Sequence, residues 1–190
     1  MAILKIARMG NPVLLGEADP VPDPSAPEIR RLVSDMVETL LDADAAGLAA
    51  PQVHVPLRLF VFRARPERLT GLAEDTPTGP GVVAVINPIV EAAGEKVAVE
   101  WEGCLSIPGL RGAVPRPERI RYRGVDPDGR PIDNTVSGFH ARVVQHEMDH
   151  LDGILYPMRM EDFALFGFTE ELMRAAAASA GARREGGRDG

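Results

Sequence analysis

In Gln145-His-Glu-Met-Asp-His150 two imidazoles stand four residues apart, with a carboxylate directly after the first. On a helix, residues four apart are separated by about 40° around the axis. His146 and His150 therefore project from one face at neighbouring levels and can reach one ion. Glu147 lies about 100° round from His146. From there it can lean toward the ion's open side without binding it, the place for a base that works on a metal-activated water. The five-residue pattern also arises by chance, and helical histidines are often simply hydrogen-bonded or solvated. The third ligand decides between these readings.

The chain has only four histidines, His54, His140, His146 and His150. One large protease class adds a third His downstream, and here Tyr156 stands at that place after Gly153. Another class takes a Glu from a later helix, and Glu161, Glu170 and Glu171 are nearby without a supporting pattern. His140 lies six residues ahead of His146, so a continuous helix points it away. Cys104, in Glu102-Gly-Cys-Leu-Ser106, is the better candidate. It follows a predicted strand ending near Trp101, and Gly103, Glu102 and Ser106 make an unusual setting for a cysteine buried as a small hydrophobe. Two imidazoles and one thiolate leave a corner of a tetrahedral ion open for water, which marks a catalytic site rather than a structural one.

Local patterns predict the elements that must position these groups. Gly138 to Leu151 lacks Pro and reads as the helix carrying the histidines. Ile29, Leu32, Val33, Met36, Val37, Leu40 and Leu41 recur on one helical face over Pro27 to Asp42, with Ser25 and Glu28 as a predicted capping box. Leu57 to Arg63, Val82 to Ile86, Val97 to Trp101, Arg119 to Val125 and Ile132 to Val136 read as strands, with Asp126 to Gly129 as a turn. Arg65 to Pro80 reads as a surface loop. Thr169 to Ala180 is helix-favouring. Strand clusters with segregated helices predict an α+β fold.

With 190 residues, 45% hydrophobic and 26% charged, one domain over 1–180 is expected, with 181–190 as a flexible tail. The net charge of −7 argues against a nucleic-acid binder, which needs a basic surface. A single Cys precludes an intramolecular disulfide. The opening residues lack the zones of a secretory signal, and no apolar run suggests a membrane span, so a cytoplasmic location is expected.

Ala45-Ala-Gly-Leu-Ala-Ala-Pro-Gln52, Glu102-Gly-Cys-Leu-Ser106 and Gln145-His-Glu-Met-Asp-His-Leu-Asp-Gly153 resemble, in order and separation, the three motifs of the peptide deformylases. The resemblance runs from about Ile3 to the helix near Ala180. It implies antiparallel sheets packed around the central histidine-bearing helix, with a C-terminal helix. It also implies hydrolysis of the formyl group from N-formylmethionyl nascent peptides, releasing formate, and with that substrate a transient contact with the ribosome. Cys104, His146 and His150 are then expected to hold one divalent ion. Fe(II) is the ion the family implies, with Zn, Ni or Co able to replace it. Glu147 is expected as general acid/base, and the Gln52 side chain with the Leu105 backbone N–H as the oxyanion site. The peptide is expected to lie extended beside Ala46 and Gly47 with Arg111 near its path. Glu102 and Arg116 are expected to pair behind the cysteine loop. Phe139 and Val143, roughly two turns and one turn ahead of His146, could line a slot for the methionine side chain or be ordinary core. Ala45 departs from the family's usual Gly and would be strained at positive φ.

Overall fold

The structure, a computed structural model, describes residues 2–63 and 81–185, with side chains described through residue 178. In chain order it runs α1 (Pro27–Asp42), β1 (Gly47–Ala49), β2 (Leu59–Arg63), β3 (Val82–Ala92), β4 (Val97–Cys104), β5 (Ile107–Pro117), β6 (Arg119–Val125), β7 (Pro131–Ser137), α2 (Gly138–Leu151), β8 (Phe166–Phe168) and α3 (Thr169–Glu185). The strands form a five-stranded antiparallel sheet in the order β1-β2-β3-β6-β7 and a three-stranded one in the order β4-β5-β8. This is the expected α+β architecture, with the C-terminal helix in place. The predicted loop at 65–80 lies outside the described residues, as does 186–190 of the predicted tail, whereas 181–185 continue α3 beyond the predicted end at Ala180.

Period-two alternation on β2 explains how the larger sheet takes a helix on each face. Phe60 and Phe62 face α2, where they cluster with Val85, Tyr122, Val136, Val143, Val144 and Leu151. Leu59 and Val61 face α1 and cluster with Ile29, Met36, Leu40, Ala84 and Ile86. A third cluster, of Leu14, Ile107, Val114, Leu155 and Tyr156, sits against the smaller sheet. The histidine-bearing helix is thus enclosed between two sheets, and ten of its residues are buried.

All three helices begin where the sequence predicts, but the capping expectation at α1 fails. The N-cap is Ala26, with no side-chain cap. Ser25 is held instead by Asp23, whose Oδ1 accepts from the Ser25 backbone N at 2.9 Å and from its hydroxyl at 2.7 Å. β3 runs on past Ile86 to Ala92 through a bulge at Asn87, which has φ 51. That side chain both accepts from and donates to the Val21 backbone, which stabilises the turn-like residue within the strand. β5 escaped prediction because Pro108, Pro115 and Pro117 break a strand signature. β8 covers only Leu110–Gly112 of β5, so the segment bearing Pro115 and Pro117 is paired in a sheet on one side alone, by β4, and such edge positions tolerate proline. Ala45 is not at positive φ, so the methyl there carries no backbone strain.

His140 points away from the other histidines, as its spacing requires. It is buried against Phe62, with ring centroids 4.9 Å apart, and its Nε2 lies 3.4 Å from the Tyr122 hydroxyl. Asn134 donates to that hydroxyl, leaving the phenol hydrogen for the imidazole. Burial disfavours the imidazolium and lowers the His140 pKa from 6.5 to about 4. The unfolded chain therefore takes up this proton first as pH falls. Stability is whole above about pH 6.5 and declines toward pH 4, where the folded state titrates too. The full span is about 3 kcal/mol. Urea unfolding of the unchanged protein and His140→Phe should show their stability gap changing by about that much between pH 7 and pH 4. A gap independent of pH rules the effect out.

Candidate metal centre

β4 ends at Cys104 because the pairing with β5 shifts there: Gly103 opposes Arg111, but Cys104 opposes Ile107. The extra residues on β5 include Gly109 at φ 79, a turn conformation that releases the strand. Two residues earlier on β4, Glu102 points the same way as Cys104, into the space in front of α2. The Cys104 Sγ lies 3.2 Å from the His150 Nε2. Donor atoms of Cys104, His146 and His150 all fall within 4.8 Å of one another. The two imidazoles meet edge to face, with centroids 5.1 Å apart.

The remaining ring nitrogen of His146 is already committed. Its Nδ1 lies 2.8 Å from the Glu102 Oε2, so the proton sits on Nδ1 and the Nε2 lone pair is left for a cation. Glu102 is itself buried and held by Arg116 through Nε at 2.6 Å and NH2 at 2.9 Å. Burial alone would raise the Glu102 pKa, but the bonds from Arg116 and His146 outweigh it and hold the carboxyl well below its usual range. The expected pair of Glu102 and Arg116 is therefore present, and it is part of a larger network. Arg116 NH1 also bonds the Asp149 Oδ2 at 2.8 Å, and Arg159 reaches the Asp149 Oδ1 at 2.8 Å.

Gln52 is buried on the far side of the sulfur. The Ala49 backbone N donates to its Oε1 at 2.8 Å, which fixes the amide orientation and turns Nε2 toward the Ser106 Oγ at 3.1 Å and the Cys104 Sγ at 3.4 Å. The Ser106 backbone N also donates toward that sulfur at 3.4 Å. Glu147 is buried on the cavity side of α2, and its Oε2 has no hydrogen-bond partner among the described residues. Burial, opposed by the charge of His146, pushes the Glu147 pKa up to about 7.

Gly47 explains how that carboxylate fits. A Cβ at position 47 would lie 2.6 Å from the Glu147 Cδ and 2.8 Å from its Cγ. Gly47→Ala must therefore displace the Glu147 carboxylate. A displacement near 1 Å of a reacting group costs about 10²-fold in rate, and kcat should fall by that order with metal content unchanged. A variant with undiminished kcat would show that the close packing does not matter.

A cavity of about 610 Å³ opens beside these groups. Its lining includes Ala46, Gly47, Gln52, Cys104, Leu105, Arg111, Phe139, Val143, His146 and Glu147, so every residue expected to touch peptide or catalyse lies on one wall or another. Phe139 and Val143 also pack into the sheet core, so the two roles open to them are not exclusive. β1 is an edge strand of the larger sheet, which leaves the backbone at Gly47 beside the cavity.

Sequence reasoning missed Asp149, Ser106, Tyr156 and Arg142. Tyr156, noted only for not being a third His, stacks near the His146 ring with centroids 6.1 Å apart. Arg142 had a usable signal, because it lies four residues before His146 on the same helical face.

The residues present suit a divalent cation. A thiol and two imidazoles converge, one imidazole is oriented by a buried carboxylate, and open volume adjoins them. Comparison with known proteins points to one family. Residues 3–165 match the family model described as polypeptide deformylase. The chain is 48% identical over 170 residues to peptide deformylase 1 of Nitrosomonas europaea, covering 90% of this chain and 94% of that one. It is 50% identical over 171 residues to peptide deformylase 2 of Ralstonia nicotianae, covering 90% and 94%. The fold is similar to the crystal structure of peptide deformylase from Thermotoga maritima, with TM-score 0.74, 34% identity and coverage of 84% and 99%. It is also similar to a Met-Ala-Ser-bound class I type b peptide deformylase from Acinetobacter baumannii, with TM-score 0.73, 32% identity and coverage of 83% and 98%.

Proposed function

The chain belongs to the polypeptide deformylase family, and on that premise we propose which of its residues carry the reaction. The activity is hydrolysis of the N-terminal formyl group from nascent peptides. The observation that supports the assignment of residues is the convergence of Cys104, His146 and His150 within 4.8 Å at the wall of a cavity that also holds Glu147.

Cys104, His146 and His150 would hold a divalent cation, which would supply Lewis acidity and lower the pKa of a water ligand toward ~7. Two imidazoles and one thiolate accept Fe(II), Zn, Ni or Co, and Fe(II) is the ion proposed here. Glu102 keeps His146 in the tautomer that presents Nε2. Glu147, whose Oε2 has no hydrogen-bond partner among the described residues and whose pKa is pushed up to about 7, takes a proton from the attacking water and delivers it to the departing amide nitrogen. As negative charge grows on the formyl oxygen, the Gln52 Nε2–H and the Leu105 backbone N–H stabilise it. The Ala49 bond to Oε1 keeps the Gln52 amide from turning its oxygen to that charge.

The peptide runs extended along Ala46 and Gly47 at the β1 edge, with Arg111 near its path and its methionine side chain against Phe139 and Val143, all of them lining the cavity. A relative's crystal structure is Met-Ala-Ser bound, a peptide of the expected product type, which supports a peptide as the substrate. Ribosome proximity and a cytoplasmic location are proposed from the substrate alone. Among the described residues, no helix is long and apolar enough to cross a membrane.

The decisive test is formate release from formyl-Met-Ala-Ser by the purified chain. Release should cease on chelation and return when a divalent metal is restored. Absence of formate from fully metal-loaded protein would refute the assignment. With Fe(II) bound through a thiolate, activity should also decay in air, whereas zinc, which has no redox chemistry, should confer an air-stable state. Equal lifetimes for the two loaded forms would count against a site in which oxygen reaches the iron and its thiolate.

A further inference from the structure

Arg142 is buried on α2 one turn ahead of His146, and both side chains reach the same carboxylate. Glu102 divides its two oxygens between them. Oε1 accepts from Arg142 NH1 at 2.6 Å, and Oε2 lies 2.8 Å from the His146 Nδ1. Arg116 spans both oxygens from β5. The other Arg142 bonds go to backbone, from NH1 to the Val114 carbonyl at 2.9 Å and from NH2 to the Ala98 carbonyl at 2.8 Å. One guanidinium therefore joins α2 to β4 and β5 while fixing the rotation of the Glu102 carboxylate.

Geometry gives this a consequence at the metal centre. Cys104 is two residues beyond Glu102 on β4 and points the same way. Whatever sets Glu102 against α2 also sets the sulfur against the rings of His146 and His150. If Oε1 lost the Arg142 bond, the carboxylate could turn about Arg116 and carry its Oε2 away from the His146 Nδ1. The charge balance supports a role beyond pairing. Asp149 has Arg116 and Arg159, and Glu102 already has Arg116, so Arg142 is a second cation on one carboxylate. Among the described residues, its only other acidic neighbour is the exposed Glu100 at 3.8 Å. A buried arginine added to a carboxylate already paired is costly unless it orders something, because its desolvation must be offset.

We propose that Arg142 is a positioning residue for the metal centre: through Glu102 it holds the Cys104 strand in register with the two histidines of α2 and keeps His146 aimed at the cation. The inference rests on the reading that Cys104, His146 and His150 are the ligands.

The test is titration of the full, metal-free chain with Co(II) ion, read by the thiolate-to-cobalt charge-transfer band and the visible d–d spectrum. Arg142→Met should weaken cobalt binding by about 10- to 100-fold, the usual cost of losing an outer partner of a metal ligand, and shift the d–d bands. Arg142→Lys, which keeps a charge near Oε1 but not the fork to two carbonyls, should fall between. Far-UV circular dichroism establishes that each variant is folded. If Arg142→Met does not fold, Arg142→Lys carries the test alone, with several-fold weaker binding expected. A folded variant that binds cobalt with unchanged affinity and spectrum overturns the proposal. Cys104→Ala separates this failure from failure of the ligand reading, which would show as full-strength cobalt binding without that sulfur.

Discussion

Glu147→Gln is expected to bind one equivalent of metal as the unchanged protein does and to lose about 10²- to 10⁴-fold in kcat, the usual contribution of a positioned proton-transfer group. The amide keeps the shape of the carboxylate, so the tight fit of side chain 147 against Gly47 survives. What it loses is the ability to accept a proton. Glu147 lies beside His146 in sequence but is not among the converging donors, and its Oε2 is buried without a partner among the described residues. A structural side chain would be expected to have such an atom satisfied. Formate release and elemental analysis of the same preparation check the prediction. Unimpaired turnover would remove Glu147 from the chemistry, and lost metal would make it part of the ion's support instead.

Cys104→Ser should abolish both metal retention and formate release. A serine hydroxyl is shorter, harder and neutral near pH 7, so it replaces a thiolate poorly as a ligand. The loss in affinity should exceed the about 100-fold that marks removal of an outer partner. Gln52, Ser106 and His150 all approach this sulfur, so the substitution also replaces the large acceptor they share with a smaller oxygen on a shorter bond. A zinc endopeptidase using only the helix motif and some other third ligand would keep metal and activity in Cys104→Ser. That outcome would sink the three-ligand assignment and leave the fold untouched.

Much of the site was legible because its key spacing is local. His146, Glu147 and His150 belong to one turn of one helix, and helical geometry follows from neighbouring residues alone. The same holds for α1, whose apolar stripe predicted its bounds, and for β6, whose alternating run predicted Arg119–Val125. Sequence also put His140 on the wrong face to be a ligand. It failed where the outcome depends on pairing. β5 looked broken by proline, and only its neighbours β4 and β8 decide that its N–H losses fall where they are tolerated. Ser25 matched a capping pattern, yet Asp23 competes for it within two residues.

The amino-acid order by itself thus determined which groups are available and which of them share a helical face, since backbone geometry converts residue spacing directly into direction. Tertiary structure alone decided that the Cys104 sulfur meets His150 across 46 residues, that Glu102 is shared by Arg116, Arg142 and His146, and that Gly47 leaves room for the Glu147 carboxylate. Those contacts join segments whose separation along the chain carries no directional information. They are fixed by how two sheets close on α2, a property of packing rather than of period.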